Sequence, residues 1–156
     1  MYKRQVELFE TSSTVIRDLF VRLGNDGIHV DALIDGPANE TVFTIAKLAI
    51  NVILPVQEGR VSSVVAASPV LWSPDNPVLY DIELEAGGDK VSDRVGFRQI
   101  ETVGTEILLN GRPLFLSGIS VHEDDETAGK MTSEEDIRRR FNHVKELGCN
   151  LSLIHI

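Results

Sequence analysis

Short apolar runs separated by turn-forming residues fill the first hundred positions, and this spacing limits the fold more than any other feature of the sequence. From Ile28 to Ile34 every second residue is apolar, with His29 and Asp31 among the residues between them. A period of two residues is typical of a strand that buries one face. Similar runs predict strands at 18–23, 41–45, 49–54, 61–66 and 80–85, and one more leading to Phe97. So many short strands predict a mainly β structure, a β-sandwich of the immunoglobulin type.

A hairpin signal at Asn110 and Gly111 marks a change of pattern. Both residues tolerate positive φ, and they stand between the apolar runs 107–109 and 113–116. Asn-Gly between two apolar runs is a strong short-range signal for a hairpin. We therefore predict that these two runs are strands joined by a tight turn.

A capped amphipathic helix is predicted after this hairpin. Gly118 ends the second apolar run, and a loop from residue 120 to residue 130 separates it from the helix. Thr132, followed three residues later by Glu135, predicts a capping box at the start of the helix. The predicted apolar stripe of the helix consists of Ile137, Phe141, Val144 and Leu147. A strand, a loop and an amphipathic helix form a β/α unit, as at the start of a TIM barrel.

Composition limits the classes of function. At 156 residues the chain has room for one domain, or for one domain and a fragment of another. Its formal net charge of −9 argues against nucleic acid or an anionic membrane as a partner, because both are bound by basic patches. The sequence has no apolar run long enough to span a membrane. Cys149 is the only cysteine, so an internal disulfide is impossible.

Three segments in a fixed order carry a resemblance to a known family. They are LWSPDNPVLY at 71–80, GFRQIE at 96–101, and ILLNGRPLFLSGISVHED at 107–124. In this order they resemble the family 2 glycoside hydrolases, which include β-galactosidases, β-glucuronidases and β-mannosidases. The resemblance implies the end of an immunoglobulin-like sandwich followed by the first strand and helix of a catalytic TIM barrel. Trp72, between Leu71 and a proline, is predicted to pack against the sandwich rather than to form a sugar platform.

The resemblance also implies where substrate contacts lie. The histidine of the family's His-Glu pair lines the sugar-binding subsite, so His122 is expected to bind substrate. Glu123 is expected to bind substrate too, or to orient the groups that do. Members of the family are retaining enzymes with two catalytic glutamates on later barrel strands, and this sequence holds neither of them. No catalytic residue is therefore predicted in this chain, and by itself it should not hydrolyse glycosides.

Further expectations concern the parent enzyme. Segments 118–124 and 145–150 resemble β-galactosidase-like members most, so a retaining exo-β-glycosidase of that kind is expected, with a carbohydrate substrate. Some larger members of the family use divalent cations, but no ligand set appears in this sequence, so no cofactor is predicted for the chain. The full-length parent could be a homo-oligomer. The compartment is not determined by the sequence, and both the bacterial cytoplasm and the periplasm fit a glycosidase of this family.

The two ends of the chain have an unusual relation. Met1–Gln5 can be encoded by GTG TAT AAG AGA CAG, and the reverse complement of that string translates as Leu-Ser-Leu-Ile-His, the residues at 151–155. We interpret residues 1–5 and 151–156 as scars of a sequencing adapter. On this interpretation residues 6–101 are the sandwich domain and residues 102–150 are the truncated start of the barrel. The adapter residues would then be no part of the natural fold.

Two alternative functions remain open. A non-catalytic carbohydrate-binding or scaffolding sandwich would need a row of exposed aromatic side chains, and the aromatic fraction is only 6%. An immunoglobulin-like adhesion module is favoured by nothing except the fold, which does not determine function. Neither alternative explains why a loop and a capped helix follow the sandwich.

Overall fold

The computed structural model describes residues 11–121, 129 and 133–154, in which it places twelve strands and one α-helix. The chain divides into two compact units, with the boundary in the sequence between Ile100 and Glu101. The first unit is a two-sheet β-sandwich, and the second holds a small hairpin sheet and a β/α/β element. None of the helices within the described ranges is long and apolar enough to cross a membrane.

Seven antiparallel strands build the sandwich. One sheet has the strand order β1-β2-β5, and the facing sheet has the order β4-β3-β6-β7. Both sheets are antiparallel at every pairing for which a register is given. The strands are β1 (Val15–Leu23), β2 (Ile28–Asp35), β3 (Glu40–Ile45), β4 (Ile50–Pro55), β5 (Arg60–Val65), β6 (Tyr80–Ala86) and β7 (Asp89–Val95). The strands and the sandwich predicted from the sequence are confirmed.

The sequence period of two determines which side chains form the core. In β2 the residues Ile28, Val30 and Ile34 are buried between the sheets, whereas Asp31 and Asp35 lie on the outer side. The other strands that contribute to the core alternate in the same way, most regularly β3 and β6. Burying a side chain of this size stabilises the fold by about 1.5–3 kcal/mol. The core runs along the chain from Ile16 to Phe97 and therefore belongs to one unit.

Aromatic side chains close one region of this core. Tyr80 and Phe97 are both almost fully buried, and their ring centroids lie 5.5 Å apart at an interplanar angle of 48°. The buried hydroxyl of Tyr80 accepts a hydrogen bond of 2.9 Å from the backbone N–H of Val70. A buried phenol without such a partner would be destabilising, so this bond fixes the loop that carries Val70 to the end of the core.

Trp72 attaches the same loop to the strand that follows it. Its backbone N–H donates a hydrogen bond of 2.7 Å to the carbonyl oxygen of Phe97. The indole ring lies against Gly96, where an added Cβ would stand 2.8 Å from Trp72 Cδ1. The guanidinium of Arg98 lies 5.9 Å from the centroid of the ring. Trp72 is half-buried in these contacts, in agreement with the predicted packing role.

The hairpin predicted at Asn110 and Gly111 is present in the second unit. Both residues have positive φ, 54° and 74°, which a tight two-residue turn between antiparallel strands requires. The turn joins the paired strands of a sheet with the order β10-β9-β8. These strands are β8 (Ile100–Val103), β9 (Glu106–Leu109) and β10 (Arg112–Pro113).

The prediction of a strand over residues 113–116 is wrong. Pairing with β9 stops at Pro113, and one further hydrogen bond of 2.8 Å joins Leu114 N–H to the Ile107 carbonyl. The chain then leaves the hairpin, and Phe115 is almost fully exposed. Gly118 was predicted to end the apolar run, but it begins the next strand, β11 (Gly118–Val121). Most of the apolar run therefore lies between two sheets, because the chain must leave one partner before it pairs with another.

A β/α/β element completes the second unit. Strand β11 pairs in parallel with β12 (Leu151–Ile154), and α1 (Glu134–Glu146) lies between them in the sequence. The β/α unit predicted for the start of a barrel is therefore present. Residues 151–154, which the adapter interpretation excluded from the fold, form a strand here, since alternating Leu and Ser residues have the period that a strand needs. A short sequence with this pattern can pair with β11 whatever its origin.

The capping box of α1 lies one residue later than predicted. Ser133 is the N-cap, with extended φ and ψ of −81° and 160°, and its hydroxyl accepts a hydrogen bond of 3.1 Å from Asp136 N–H. The Asp136 carboxylate accepts a hydrogen bond from the Ser133 backbone in return. The predicted pair of Thr132 and Glu135 is therefore wrong, and Thr132 lies outside the described residues. Both pairs have the spacing of a capping box, so the sequence alone does not distinguish them.

The apolar stripe of α1 is only partly covered. Val144 is buried and Phe141 is half-buried, but Ile137 and Leu147 are exposed. Parallel strands normally occur in sheets covered on both faces, and the parallel pair in this unit also leaves Ile119 and Leu153 exposed. The second unit thus has apolar side chains in the pattern of a buried element, but several of them have no surface to pack against among the described residues.

We expect Leu84→Ala to lower the free energy of unfolding of the sandwich by about 2–5 kcal/mol. Leu84 is 0% exposed at the centre of β6, so truncation leaves a cavity. Urea unfolding followed by the fluorescence of Trp72, the only tryptophan, measures the change. Ile53→Ala is the matched control, because Ile53 is 65% exposed and its loss should change stability by less than about 1 kcal/mol. Equal losses in the two variants would contradict the assigned core.

Candidate functional site

The two residues predicted to bind substrate, His122 and Glu123, lie outside the described residues. Their position in the sequence is nevertheless informative, because His122 directly follows Val121, the last residue of β11. The loop that begins there joins the first strand of the β/α/β element to α1. The predicted loop start at residue 120 is therefore wrong by two positions, since Ser120 and Val121 belong to the strand.

Strands β11 and β12 end at the same edge because they are parallel. Their register pairs Gly118 with Leu151 at one end and Val121 with Ile154 at the other. In barrels built from such units, the side chains that act on substrate lie at the carboxyl ends of the strands and on the loops that follow them. The edge at Val121 is thus the end of this element at which a site would form.

Asn150 fixes the segment that enters β11. Its side-chain oxygen accepts a hydrogen bond of 2.9 Å from Ser117 N–H, and its side-chain nitrogen donates one of 2.8 Å to the Phe115 carbonyl. Its own backbone N–H donates a third, of 2.9 Å, to the Ser117 carbonyl. One amide side chain therefore satisfies backbone groups on both sides of the turn before β11, so it determines where the strand begins.

Sequence reasoning did not assign this role to Asn150. The partners of its side chain lie 33 and 35 positions earlier in the chain, beyond any local pattern. Local signals such as caps and turns arise from residues a few positions apart. The contact forms only in the folded β/α/β element, which brings the segment after α1 next to the segment before β11.

The titratable pairs that the structure describes with shifted pKa values lie in the sandwich. The hydrogen bond of 2.6 Å between His29 and Asp26 lowers the pKa of the Asp26 carboxyl. Hydrogen bonds to Glu83 and Glu85 raise the pKa of Lys90. All of these groups lie at the surface, so the pairs stabilise turns and strand faces rather than prepare an acid or a base. Within residues 11–121, 129 and 133–154, no three His, Cys, Asp or Glu side chains form a group that could hold a metal ion.

Comparison of the sequence with models of known families identifies the family of the chain. Residues 13–98 match the family described as glycosyl hydrolases family 2, and residues 100–152 match the TIM barrel domain of the same family. The first match alone covers more than half of the chain. The chain belongs to glycosyl hydrolases family 2. The resemblance found in the three sequence segments is confirmed.

Curated relatives of this family 2 chain include β-galactosidases. The β-galactosidase of Vibrio vulnificus (strain YJ016) is 27% identical over 155 residues, which cover 96% of this chain and 13% of that protein. The β-galactosidase of Arthrobacter sp. (strain B7) is 32% identical over 79 residues, which cover 51% of this chain and 8% of that protein. The chain therefore spans between 8% and 13% of the length of these two relatives.

Solved structures of family 2 enzymes share the fold of the chain. A β-galacturonidase from Eisenbergiella tayi bound to galacturonate has a TM-score of 0.77 and 28% identity, over 92% of this chain and 29% of that one. A β-glucuronidase from Faecalibacterium prausnitzii has a TM-score of 0.72 and 25% identity, over 90% and 24%. A β-glucuronidase from Bifidobacterium dentium has a TM-score of 0.78 at 20% identity, over 89% of this chain and 26% of that one, which shows the fold alone.

We expect Asn150→Ala to loosen β11. The variant loses two side-chain hydrogen bonds to backbone groups, each worth about 0.5–1.5 kcal/mol. Hydrogen–deuterium exchange at the amides of residues 118–121 should become at least about tenfold faster, whereas the amides of the sandwich should not change. Asn142→Ala is the control, because Asn142 lies exposed on α1 and donates no side-chain hydrogen bond to a described residue. Unchanged exchange in β11 would show that Asn150 does not hold this turn.

Proposed function

We propose that this chain is the sandwich and the first β/α unit of a retaining exo-β-glycosidase. The observation that carries the proposal is the order of its elements, because a family 2 sandwich is followed by a β/α/β element whose first strand is succeeded directly by His122 and Glu123. In such an enzyme two carboxyl groups about 5–5.5 Å apart act as acid/base and nucleophile. We place both of them in later parts of the parent protein.

The proposed substrate is a terminal β-glycoside of galacto configuration. The curated relatives are named β-galactosidases, and one of the solved structures is that of a β-galacturonidase bound to galacturonate. Galactose and galacturonate share the axial hydroxyl at C4 and differ at C6. We therefore propose that the parent enzyme recognises the axial hydroxyl and favours a neutral C6 group, as in a β-galactosidase.

The proposed partner is a carbohydrate rather than nucleic acid or an anionic membrane. The formal net charge of −9 repels both polyanions, whereas a neutral sugar is bound by hydrogen bonds and apolar contacts. The alternative of a sandwich that binds polysaccharide along a row of aromatic rings is not favoured, because Tyr80, Phe43 and Phe97 are buried in the core. Homo-oligomer formation by the parent remains a prediction from the family resemblance.

The full-length parent and the 156-residue chain should differ completely in activity. We expect the parent to hydrolyse p-nitrophenyl β-D-galactopyranoside at least about tenfold faster, in kcat/KM, than the corresponding glucuronide. The 156-residue chain should show no turnover, because it lacks both glutamates of the mechanism. Sequencing the parent gene for this assay also tests whether residues 1–5 and 151–156 are adapter scars. Turnover by the isolated chain would contradict the proposed division of the enzyme.

His122→Ala in the parent enzyme is expected to lower kcat/KM for the galactoside by about tenfold, the loss of one hydrogen bond to a sugar hydroxyl. Thermal unfolding should be unchanged, because a side chain that binds substrate from a loop contributes little to the core. His143→Ala is the matched control, since His143 is an exposed histidine on α1. A loss of activity of the same size in both variants would remove the assigned role of His122.

A further inference from the structure

The outer face of the sheet β1-β2-β5 combines an exposed aromatic ring with charged and hydroxyl groups. We propose that this face is a non-catalytic site for a single pyranose ring of a neutral carbohydrate. The inference goes beyond the proposed glycosidase function, because the site belongs entirely to the sandwich and binding to it requires no turnover. It rests on the cross-strand register, on a surface cavity and on the pairing of the charged groups.

Two neighbouring rows of side chains form the face. In the first row Asp18 on β1 is paired with Leu33 on β2, which is paired with Arg60 on β5. In the second row Phe20 is paired with Asp31, and Asp31 with Ser62. Phe20 is 59% exposed and Leu33 is 37% exposed, so the two rows share an apolar floor with polar groups around it.

A cavity of about 460 Å³ lies over these two rows. Small-molecule sites usually have volumes of about 300–1,000 Å³ and are lined by apolar side chains with a few polar groups that fix the orientation of the ligand. The depression has a suitable volume but is more polar, because Ala32 and Val61 are core residues and the side chains that face outward are two apolar groups and four charged or hydroxyl groups. Its lining consists of Asp18, Phe20, Asp31, Ala32, Leu33, Arg60, Val61 and Ser62.

The carboxylate of Asp31 is oriented by one hydrogen bond and one long contact with an arginine. It accepts a hydrogen bond of 2.9 Å from the Ser62 hydroxyl, and Arg22 Nη2 stands 3.9 Å from its other oxygen. A carboxylate has about four lone-pair positions, so these contacts leave some of them for a ligand hydroxyl. Asp31 can therefore accept a hydrogen bond from a sugar without being reoriented.

The two charged side chains at the ends of the first row have no partner among the described residues. Neither the Asp18 carboxylate nor the Arg60 guanidinium forms an ion pair or a side-chain hydrogen bond with residues 11–121, 129 or 133–154. Neighbouring strands lie about 4.8 Å apart, so these two residues, with β2 between them, are separated by about 10 Å. A pyranose ring lying on Leu33 would present hydroxyl groups toward an acceptor on one side and a donor on the other.

The chemistry of the face fits a neutral sugar better than other ligands. Asp18 and Asp31 balance Arg22 and Arg60, so the face has no excess of either charge to select an ion. A sugar hydroxyl both donates and accepts hydrogen bonds. The carboxylates of the face can accept such bonds and its guanidinium groups can donate them. The face of an aromatic ring is electron-rich and its edge electron-poor, so the Phe20 ring can receive the C–H groups of a pyranose ring. A stable protein interface would need about 800 Å² on each partner, and the exposed apolar side chains of this face are the three residues Phe20, Leu33 and Val64.

The test is a titration of the ¹⁵N-labelled 156-residue chain with methyl β-D-galactopyranoside, followed by amide chemical shifts. We expect saturable shifts at Phe20, Asp31, Leu33 and their cross-strand neighbours, with a Kd in the millimolar range. Phe20→Ala and Arg60→Gln should each raise the Kd by at least about tenfold. The two variants remove the floor and a donor separately, so one remains informative if the other fails to fold. Ile53→Ala on the opposite sheet, equally exposed and apolar, should leave the Kd unchanged.

Several outcomes would overturn the proposal. Shifts that do not saturate, that map to another part of the sandwich, or that glycerol reproduces at the same concentration would show that no pyranose site exists. A second copy of the chain is the other possible occupant of this face. Sedimentation at two protein concentrations measures whether the chain self-associates. If Phe20→Ala abolished self-association and the sugar caused no shift, the face would be a contact between copies of the chain. Failure of this test leaves the proposed glycosidase function intact, because that function is measured on the parent enzyme with an aryl galactoside.

Discussion

The described structure depends on the burial of one face of each sandwich sheet against the other. Residues such as Val30, Phe43 and Leu84 reach this shared interior from strands that are distant in sequence. The two sheets supply each other's apolar partner, so the first unit contains everything that its core needs. The second unit has no such closure, because α1 and the parallel pair leave Ile137 and Leu153 exposed. Both units have regular local structure. They differ because only the first buries its apolar side chains in a core of its own.

The sandwich core also determines where the chain leaves it. Tyr80 binds the backbone at Val70, and Trp72 binds the backbone at Phe97, so the loop before β6 is fastened to the segment after β7. Arg98 covers the indole ring at the same place. The residues immediately before Ile100 are thus held by contacts to a rigid domain.

Much of this architecture could be predicted because it follows from short-range patterns. Short apolar runs, two of them with a clear period of two, and the turn signals between them predicted the seven sandwich strands. Asn110 with Gly111 predicted the hairpin. Both kinds of signal depend only on neighbouring residues. Gly118 was assigned to the wrong side of a boundary because a continuous apolar run does not show where a chain changes partners. Ser133 and Thr132 compete for the same capping pattern, and Asn150 acts over more than thirty positions. The assignment of His122 and Glu123 came from family resemblance, and it remains a prediction.

The position of the last core residue has a consequence for synthesis on the ribosome. The sandwich core side chains that the structure describes lie between Ile16 and Phe97, so the domain can complete its folding as soon as Phe97 has left the exit tunnel. The strands that follow would emerge next to a finished domain instead of an unfolded chain. A TIM barrel typically has about 250 residues, so at about 5–20 residues per second its synthesis takes roughly 10–50 seconds. Because the sandwich strands are by then paired with one another, the nascent segments that follow have one fewer partner for misfolding.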